Sequence, residues 1–389
     1  MRPLDGIKVV TLEHAIAAPF CTRQLADLGA RVIKIERPEG GDFARGYDKR
    51  VNGLSSHFVW TNRSKESLCL DLKDPGAASV LDALLTDADV LVQNLAPGAA
   101  DRLGLGYDAL SKRFPKLIVC GISGYGPDGP YRDKKAYDLL IQSESGFLSV
   151  TGSPEEAAKA GASIADIAAG MYAFTSILAA LLQRQKTGCG TRIDISMLES
   201  MTEWMSFPLY YAFNEQSAPS RSGASHATIF PYGPFPAGDR KEVMLGIQNE
   251  REWKAFCEVV LVRQDLAADE RFSSNPNRVA NRDELRSIIH DIFSTLSADE
   301  VTARLDAAGI ANAHVNDMRA VWNHPQLEAR QRWGAVDTPA GPVPALLPPF
   351  IASGSSARMD PVPSLGEHSD QILAELGYAP DLSPLPVRA

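Results

Sequence analysis

At 389 residues, with 44% hydrophobic and 22% charged positions, the chain has the make-up of a globular protein and room for two domains. Its formal net charge of −9 argues against general nucleic-acid binding, which needs a basic surface, although a local basic cluster can still hold an anionic ligand. No run approaches the ~20 uninterrupted apolar residues of a membrane span, so no membrane partner is expected. The opening MRPLDGIKVVTLEH has a short apolar run with an acidic residue close behind it, which is not the pattern of a secretory signal. Cys21, Cys69, Cys120, Cys189 and Cys257 are scattered, with no pair at metal-ligand spacing. An odd, dispersed set points to reduced thiols in a cytoplasmic protein without a bound metal.

In chain order, IKVVTL (7–12) and RVIKI (31–35) are β-branched runs flanking a helical pattern from Pro19 to Gly29. Strand, helix and strand with short connections read as a βαβ unit and a parallel sheet. Pro38 stops the second strand and a Gly40-Gly41 turn follows, so Lys34 and Arg37 stand at a strand's carboxyl end, where open α/β sheets take their ligands. The alternative is a solvated strand end. SLCLDL (67–72), ADVLVQNL (88–95) and KLIVCGIS (116–123) continue the strands, with helices over Pro75–Thr86 and from Ala99 to Leu103. Five strands alternating with helices make a Rossmann-like half.

Gly124-Tyr125-Gly126-Pro127-Asp128-Gly129 matches the dinucleotide-binding pattern of glycines, yet no helix pattern opens within it. Pro127 and Pro130 bracket it, so it reads as a loop and not as a pyrophosphate seat. Ala165 to Gly188 is a strong helix with a cation in its last turn and glycine beyond. TRIDISML (191–198) is a strand leading into a helix from Leu198 to Phe213. Residues 214–239 are a polar, Gly/Pro/Ser-rich linker. Beyond it EVMLGIQ (242–248) and NAHVND (312–317) are strands, with helices over 250–262, 282–294 and 298–310. The division expected is a large Rossmann-like domain from 1–215 and 330–389, a small α+β domain over 225–325, and linkers at 199–225 and 325–345.

Two carboxylates stand at the mouths of apolar segments, Asp138 after KKAY and Asp166 before a long apolar run. Asp166 reads either as the N-cap of that helix or as a reactive group aimed into a cleft.

The order of DGIKVVTLE, KIERPEGGD, RSKESLCLDLK, VQNLAPGAADRLGLGYDAL, GYGPDGPY, KKAYD, SIADIAAG, QKTGCGTRIDISM and LGEHSDQILAELGY resembles the family III CoA-transferases, which include formyl-CoA transferase, carnitine CoA-transferase and the α-methylacyl-CoA racemases. The resemblance covers nearly the whole chain. It implies a Rossmann-like large domain, a smaller domain, coenzyme A as the carried group, and two subunits interlocked like links of a chain. The family's catalytic aspartate opens a helix in a D-x-x-x-G pattern, matched by Asp166 with Gly170. Its coenzyme contacts fall on Arg37, Lys73, Asn94, Arg102 and Lys135, cations and a polar amide suited to phosphates. Ile16 takes the place of a glutamine that formyl-CoA transferase aims at the active carboxylate. The glycine-repeat loop of that enzyme is replaced by SRSGASHATIFPYGPF, which offers Arg221, His226 and Tyr232 to a second carboxylate.

The chemistry implied is nucleophilic catalysis by Asp166 through an anhydride and an aspartyl-CoA thioester, with Asp138 and Tyr137 as polar support. The expected donor is succinyl-CoA and the expected acceptor a C4–C5 dicarboxylic acid of the malate, itaconate, mesaconate or citramalate type. A racemase or isomerase of the same fold is the nearest alternative. Tyr137 stands where racemases carry a histidine, and a phenol is a poor general base at neutral pH. A non-catalytic acyl-CoA-binding protein would keep Arg37 and Lys135 but have no need of Asp166.

Overall fold

The computed structural model describes residues 1–350 and 352–382. The chain divides into two compact units. The larger takes Met1–Gly146, Ala160–Ser206 and the chain from Gln326 on; the smaller takes Phe147–Lys159 and Phe207–Pro325.

In the larger unit β1 (Lys8–Leu12), β2 (Arg31–Glu36), β3 (Lys65–Cys69), β4 (Val90–Gln93), β5 (Ile118–Ser123) and β6 (Arg192–Ser196) form one parallel sheet in the order β3-β2-β1-β4-β5-β6. Parallel neighbours need crossover connections. These contain α1 (Ala17–Asp27), α2 (Ser56–Asn62), α3 (Ala77–Thr86), α4 (Ala99–Arg102) and α5 (Tyr107–Arg113). Between β5 and β6 lie α6 (Asp138–Glu144), the short α7 (Phe147–Val150) of the smaller unit, and α8 (Ile164–Thr187). Val9, Val10, Val32, Ile33, Val90 and Leu91 are wholly buried, as expected of strands covered on both faces. The order of the strands reverses between β1 and β4, and their diverging carboxyl ends open a crevice there. Along the outer strand β3 the tail motif LGEHS supplies the missing partners: Cys69 N–H donates to Ser369 Oγ at 2.9 Å and His368 N–H to the Ser67 carbonyl at 3.1 Å. Those bonds block an otherwise open sheet edge.

α8 is long and apolar enough to cross a membrane by length and composition. Its small face, Ala165, Ala168, Ala169 and Ala173, is buried, and α1 packs closely against it. Gly170 is the closest point. A Cβ there would come within 2.7 Å of the Ala17 carbonyl oxygen and 3.0 Å of the Phe20 ring, so only glycine admits this approach.

Several expectations change. The helix expected over 198–213 is two, α9 (Met197–Trp204) and α10 (Ser206–Tyr211), broken where Ser206 takes φ 36° ahead of Pro208. Proline has no N–H to continue a helix ladder. The expected linker 214–239 contains β7 (Tyr232–Pro236), an edge strand in an antiparallel sheet β7-β8-β9 with β8 (Glu242–Gly246) and β9 (Asn312–His314). Pro234 and Pro236 disguise it, but an edge tolerates proline because one side needs no N–H. The expected linker 325–345 holds a hairpin, β10 (Trp333–Val336) with β11 (Val343–Leu346). The smaller unit also reaches beyond 225–325. Gly223 N–H donates to the Gly152 carbonyl at 2.8 Å, tying 147–159 to the loop before β7. Its core is aromatic, with Phe230, Phe235, Trp253, Phe256, Phe272 and Phe293 buried. Buried Arg278 binds the Phe230 and Phe272 carbonyls and Glu250.

Candidate active site

The two carboxylates singled out in the sequence meet at the start of α8. Asp166 is the third residue of that helix, not its N-cap; Ser163 holds the cap position and its side chain makes no capping bond. The cap is Asp138, at the head of α6. Its Oδ1 accepts from Ala165 N–H at 2.8 Å and Asp166 N–H at 3.2 Å, while Gln142 Nε2 donates to Oδ2 at 2.6 Å. Gln142, rather than Tyr137, therefore orients Asp138. Tyr137 is 68% exposed and its side chain makes no hydrogen bond among the described residues.

The Asp166 carboxyl has no hydrogen-bond donor and no cation beside it among the described residues. Burial, and after it the Asp138 charge, push it up to about 7. An acid in the first turn of a helix is ordinarily stabilised by the exposed N–H groups and the dipole. Here the Asp138 anion already occupies those groups, so Asp166 is left half-buried against a like charge. Raised carboxyls of this kind are characteristic of reactive sites.

A second helix start lies close by. α1 begins at Ala17 with Ile16 in the cap position, and an isoleucine cannot cap. Among the described residues the N–H groups of Ile16, Ala17 and Ala18 have no acceptor, and Pro19 has none to offer. The Ile16 side chain itself is buried, so this position faces outward through its backbone alone. Asp166 lies one turn before Gly170, the point of closest approach to Ala17. The Tyr47 phenol is pushed up to about 12 by burial and then by the charges of Asp42, Asp166 and Tyr137, and Asp42 Oδ1 accepts from Ala15 N–H at 3.1 Å. Tyr47 continues a row of rings: Phe43 at 5.7 Å between centroids, His14 stacked on Phe43 at 5.4 Å, and His57 edge-on to Tyr47 at 5.3 Å. Phe43 and Tyr47 are exposed, and sequence reasoning missed both. The available signal was GDFARGYD, aromatic residues directly after a glycine turn at a strand's carboxyl end.

Arg37, Lys73, Arg102 and Lys135 lie in the segments that follow β2, β3, β4 and β5 respectively. All four are exposed, and none pairs with a carboxylate among the described residues. Arg37 donates only to the Gly41 carbonyl. Asn94 differs. Its amide grips the backbone of His14 on both sides, accepting from His14 N–H and donating to His14 C=O, each at 2.9 Å. Lys34, weighed as a ligand or solvated group, is neither. It is fully buried, its Nζ 2.7 Å from Asp42 and 3.4 Å from Glu13. An open cavity of about 620 Å³ is lined by Gln93 at the end of β4, by β5 from Val119 to Ser123 and by the first residues of β6. Asp101, Asp108, Asp133 and Asp194 outnumber Arg132 and Arg192 in its lining, and both arginines are already paired with acids.

Arg221 and His226 lie in the loop before β7 and Tyr232 opens that strand, all in the smaller unit. Arg221 is spent on the 147–159 segment, with Nε and Nη2 donating to the Ser153 and Pro154 carbonyls at 2.9 and 3.1 Å. His226 stacks on Tyr232 at 5.3 Å, and its Nδ1 accepts from Thr228 N–H at 3.1 Å.

Comparison with known proteins shows the family. The protein-family model CoA-transferase family III matches residues 4–369. The succinate–glutarate CoA-transferase of Agrobacterium fabrum is 33% identical over 96% of this chain and 96% of its own length. The acetyl-CoA:oxalate CoA-transferase of Acetobacter aceti is 36% identical over 88% of each. A crystal structure of a CaiB/BaiF family protein from Brucella suis superposes with a TM-score of 0.85 at 34% identity, covering 96% of this chain and 99% of that one. A match over almost the full length, joined to the six-stranded parallel sheet, makes this chain a member of CoA-transferase family III and a CoA-transferase.

Proposed function

We propose that the protein moves coenzyme A from succinyl-CoA to a C4–C5 dicarboxylic acid through a thioester on Asp166. The observation that carries this reading is the Asp166 carboxyl itself: partly buried, pushed up to about 7 and without a hydrogen-bond donor among the described residues, on the helix that packs at Gly170 against the first turn of α1. The Asp166 carboxylate attacks the thioester carbonyl, the C–S bond breaks, and the coenzyme leaves as thiolate from a mixed anhydride. The thiolate then attacks Cγ of Asp166 and releases the donor acid, leaving the coenzyme on the enzyme. The acceptor carboxylate attacks the same Cγ and expels the thiolate, which returns to the acceptor's carbonyl and frees Asp166. Each tetrahedral step places negative charge on an oxygen, and unpaired backbone N–H groups are the donors such charge requires. The four free cations suit the phosphates of the coenzyme.

A dicarboxylate acceptor is supported by the relatives, two of which are named for succinate, glutarate and oxalate. Support for an interlocked homodimer comes from Phe207, Leu209, Tyr210 and Phe213, an exposed apolar run of the kind that marks association surfaces. Five unpaired cysteines suit a cytoplasmic protein.

Mass spectrometry of the enzyme mixed with succinyl-CoA tests the chemistry. Wild type should gain covalent coenzyme A, cleaved by hydroxylamine, and Asp166→Ala should gain none while losing transfer by ~10⁴-fold or more. A tenth of the rate surviving in Asp166→Ala removes the nucleophile. A panel in which monocarboxylates outcompete every dicarboxylate removes the acceptor class. A monomer in sedimentation at assay concentrations removes the dimer.

A further inference from the structure

We infer that Asn94 is a positioning residue for the transfer step and not a coenzyme contact, an inference that rests on Asp166 being the nucleophile. The chain leaves β1 at Leu12 and must turn into α1 within four residues. It does so through Ala15 at φ 61°, the left-handed region that a non-glycine residue rarely adopts. Such a conformation persists only where the surroundings over-determine it. Here they do. Asn94 stands just beyond β4, across the crevice where the strand order reverses. Its own N–H donates to the Leu12 carbonyl at 3.3 Å, and its side-chain amide closes on both polar backbone groups of His14. On the other flank Asp42, wholly buried and held by Lys34 at 2.7 Å, accepts from Ala15 N–H.

The turn is thus pinned at two successive residues, and the three N–H groups that follow, those of Ile16, Ala17 and Ala18, are free. Their aim depends on the turn. A side chain that commits one acceptor and one donor to fixing the turn has its amide plane set by that task. Of the four cations named above, only Arg37 bonds to backbone among the described residues, and only through the Gly41 carbonyl. Asn94 therefore acts on the reaction through the backbone of α1's first turn.

The test separates kcat from coenzyme affinity. Asn94→Ala removes the grip. Asn94→Asp keeps the size and the acceptor but sets an oxygen against the His14 carbonyl. Both variants should lower kcat, and the single-turnover rate of covalent coenzyme A formation, about 10²-fold, the scale of a lost oxyanion donor. The calorimetric Kd for coenzyme A should stay within about 2-fold of wild type. A raised Kd with unchanged kcat would make Asn94 a coenzyme contact and overturn the inference. So would a kcat within about 3-fold of wild type, or loss of fold in both variants, which would make the residue structural. Asp166→Ala measured alongside keeps the two readings apart: if it retains activity the nucleophile fails, whatever Asn94 does. If it is inactive and the Asn94 variants turn over normally, only the positioning role fails.

Discussion

Two buried acids of the larger unit respond to burial in opposite directions. Glu13, just past β1, is inaccessible to solvent. Lys65 and Lys34 reach its Oε1 at 2.6 and 3.4 Å, and the Thr22 and Thr11 hydroxyls donate to Oε2 at 2.6 and 2.9 Å. Although burial alone would raise it, the two lysines and these hydrogen bonds hold it down at about 2. Asp166 meets the same desolvation with one neighbouring charge of its own sign, and rises to about 7. Burial is common to both; the partners decide the direction. The first acid holds strands and helices together, whereas the second is left unstable as an anion and therefore reactive.

The comparison can be broken most forcefully at Glu13. Glu13→Ala leaves Lys65 buried with no carboxylate and should cost ~3–5 kcal/mol, since an unpaired buried charge is worse than a missing pair. Urea titration of the variant checks this, and a loss below ~1 kcal/mol would mean that water reaches the lysines. The pH dependence follows from the sign of the shift. Glu13 is depressed, so its contribution is present above the usual carboxylate range and is lost as pH falls from ~4.5 toward 2.

Asp166→Asn works in the other sense. A raised carboxyl penalises the fold once pH exceeds ~3.8, fully so above about 7. The variant should be more stable than wild type by ~4 kcal/mol at pH 8, with the difference vanishing near pH 4. Equal stability at both pH values would mean that the carboxyl is not raised.

Activity sharpens the comparison further. A nucleophilic Asp166, as proposed, attacks only as an anion, so kcat/KM for the acyl-CoA should climb through pH about 7 and level off above it. Asp138→Asn keeps an oxygen for the Ala165 and Asp166 N–H groups but removes the like charge. It should move that limb ~0.5–1 unit toward acid. An unmoved limb would assign the whole shift to burial.

Ala15→Gly is expected to do least. Relief of the left-handed strain and the greater freedom of the unfolded chain oppose each other, leaving stability within ~1 kcal/mol of wild type. A larger loss would show that the Ala15 methyl is itself packed.

Much of this was legible in the chain. The apolar β-branched runs at 7–12, 31–35 and 116–123 and the helix from 164 to 187 came from periodicity, because a parallel strand buried on both faces and a long helix each leave a continuous record. Asp166 and its Gly170 were found because a charge opening an apolar helix, and a glycine four residues on, are local patterns. Lys34 inside RVIKIE carried a signal that was misread: a charge within a buried strand demands a buried partner, and Glu13 was available.

The sequence by itself determined the element types, the alternating order that builds a parallel sheet, and the residue kinds of the candidate site. The tertiary structure decided which of two aspartates caps α8 and which is left exposed to like charge. It also decided that Arg221 and Asn94 grip backbone, and that β7 hides behind two prolines. The reason is range. Periodicity and capping are set by residues within a few positions of each other, whereas Asp138 meets Asp166, Asn94 meets His14, and Glu13 meets Lys65 only after 28, 80 and 52 residues of chain have folded between them. A carboxyl's proton affinity follows from those distant partners, and so does the chemistry it can perform.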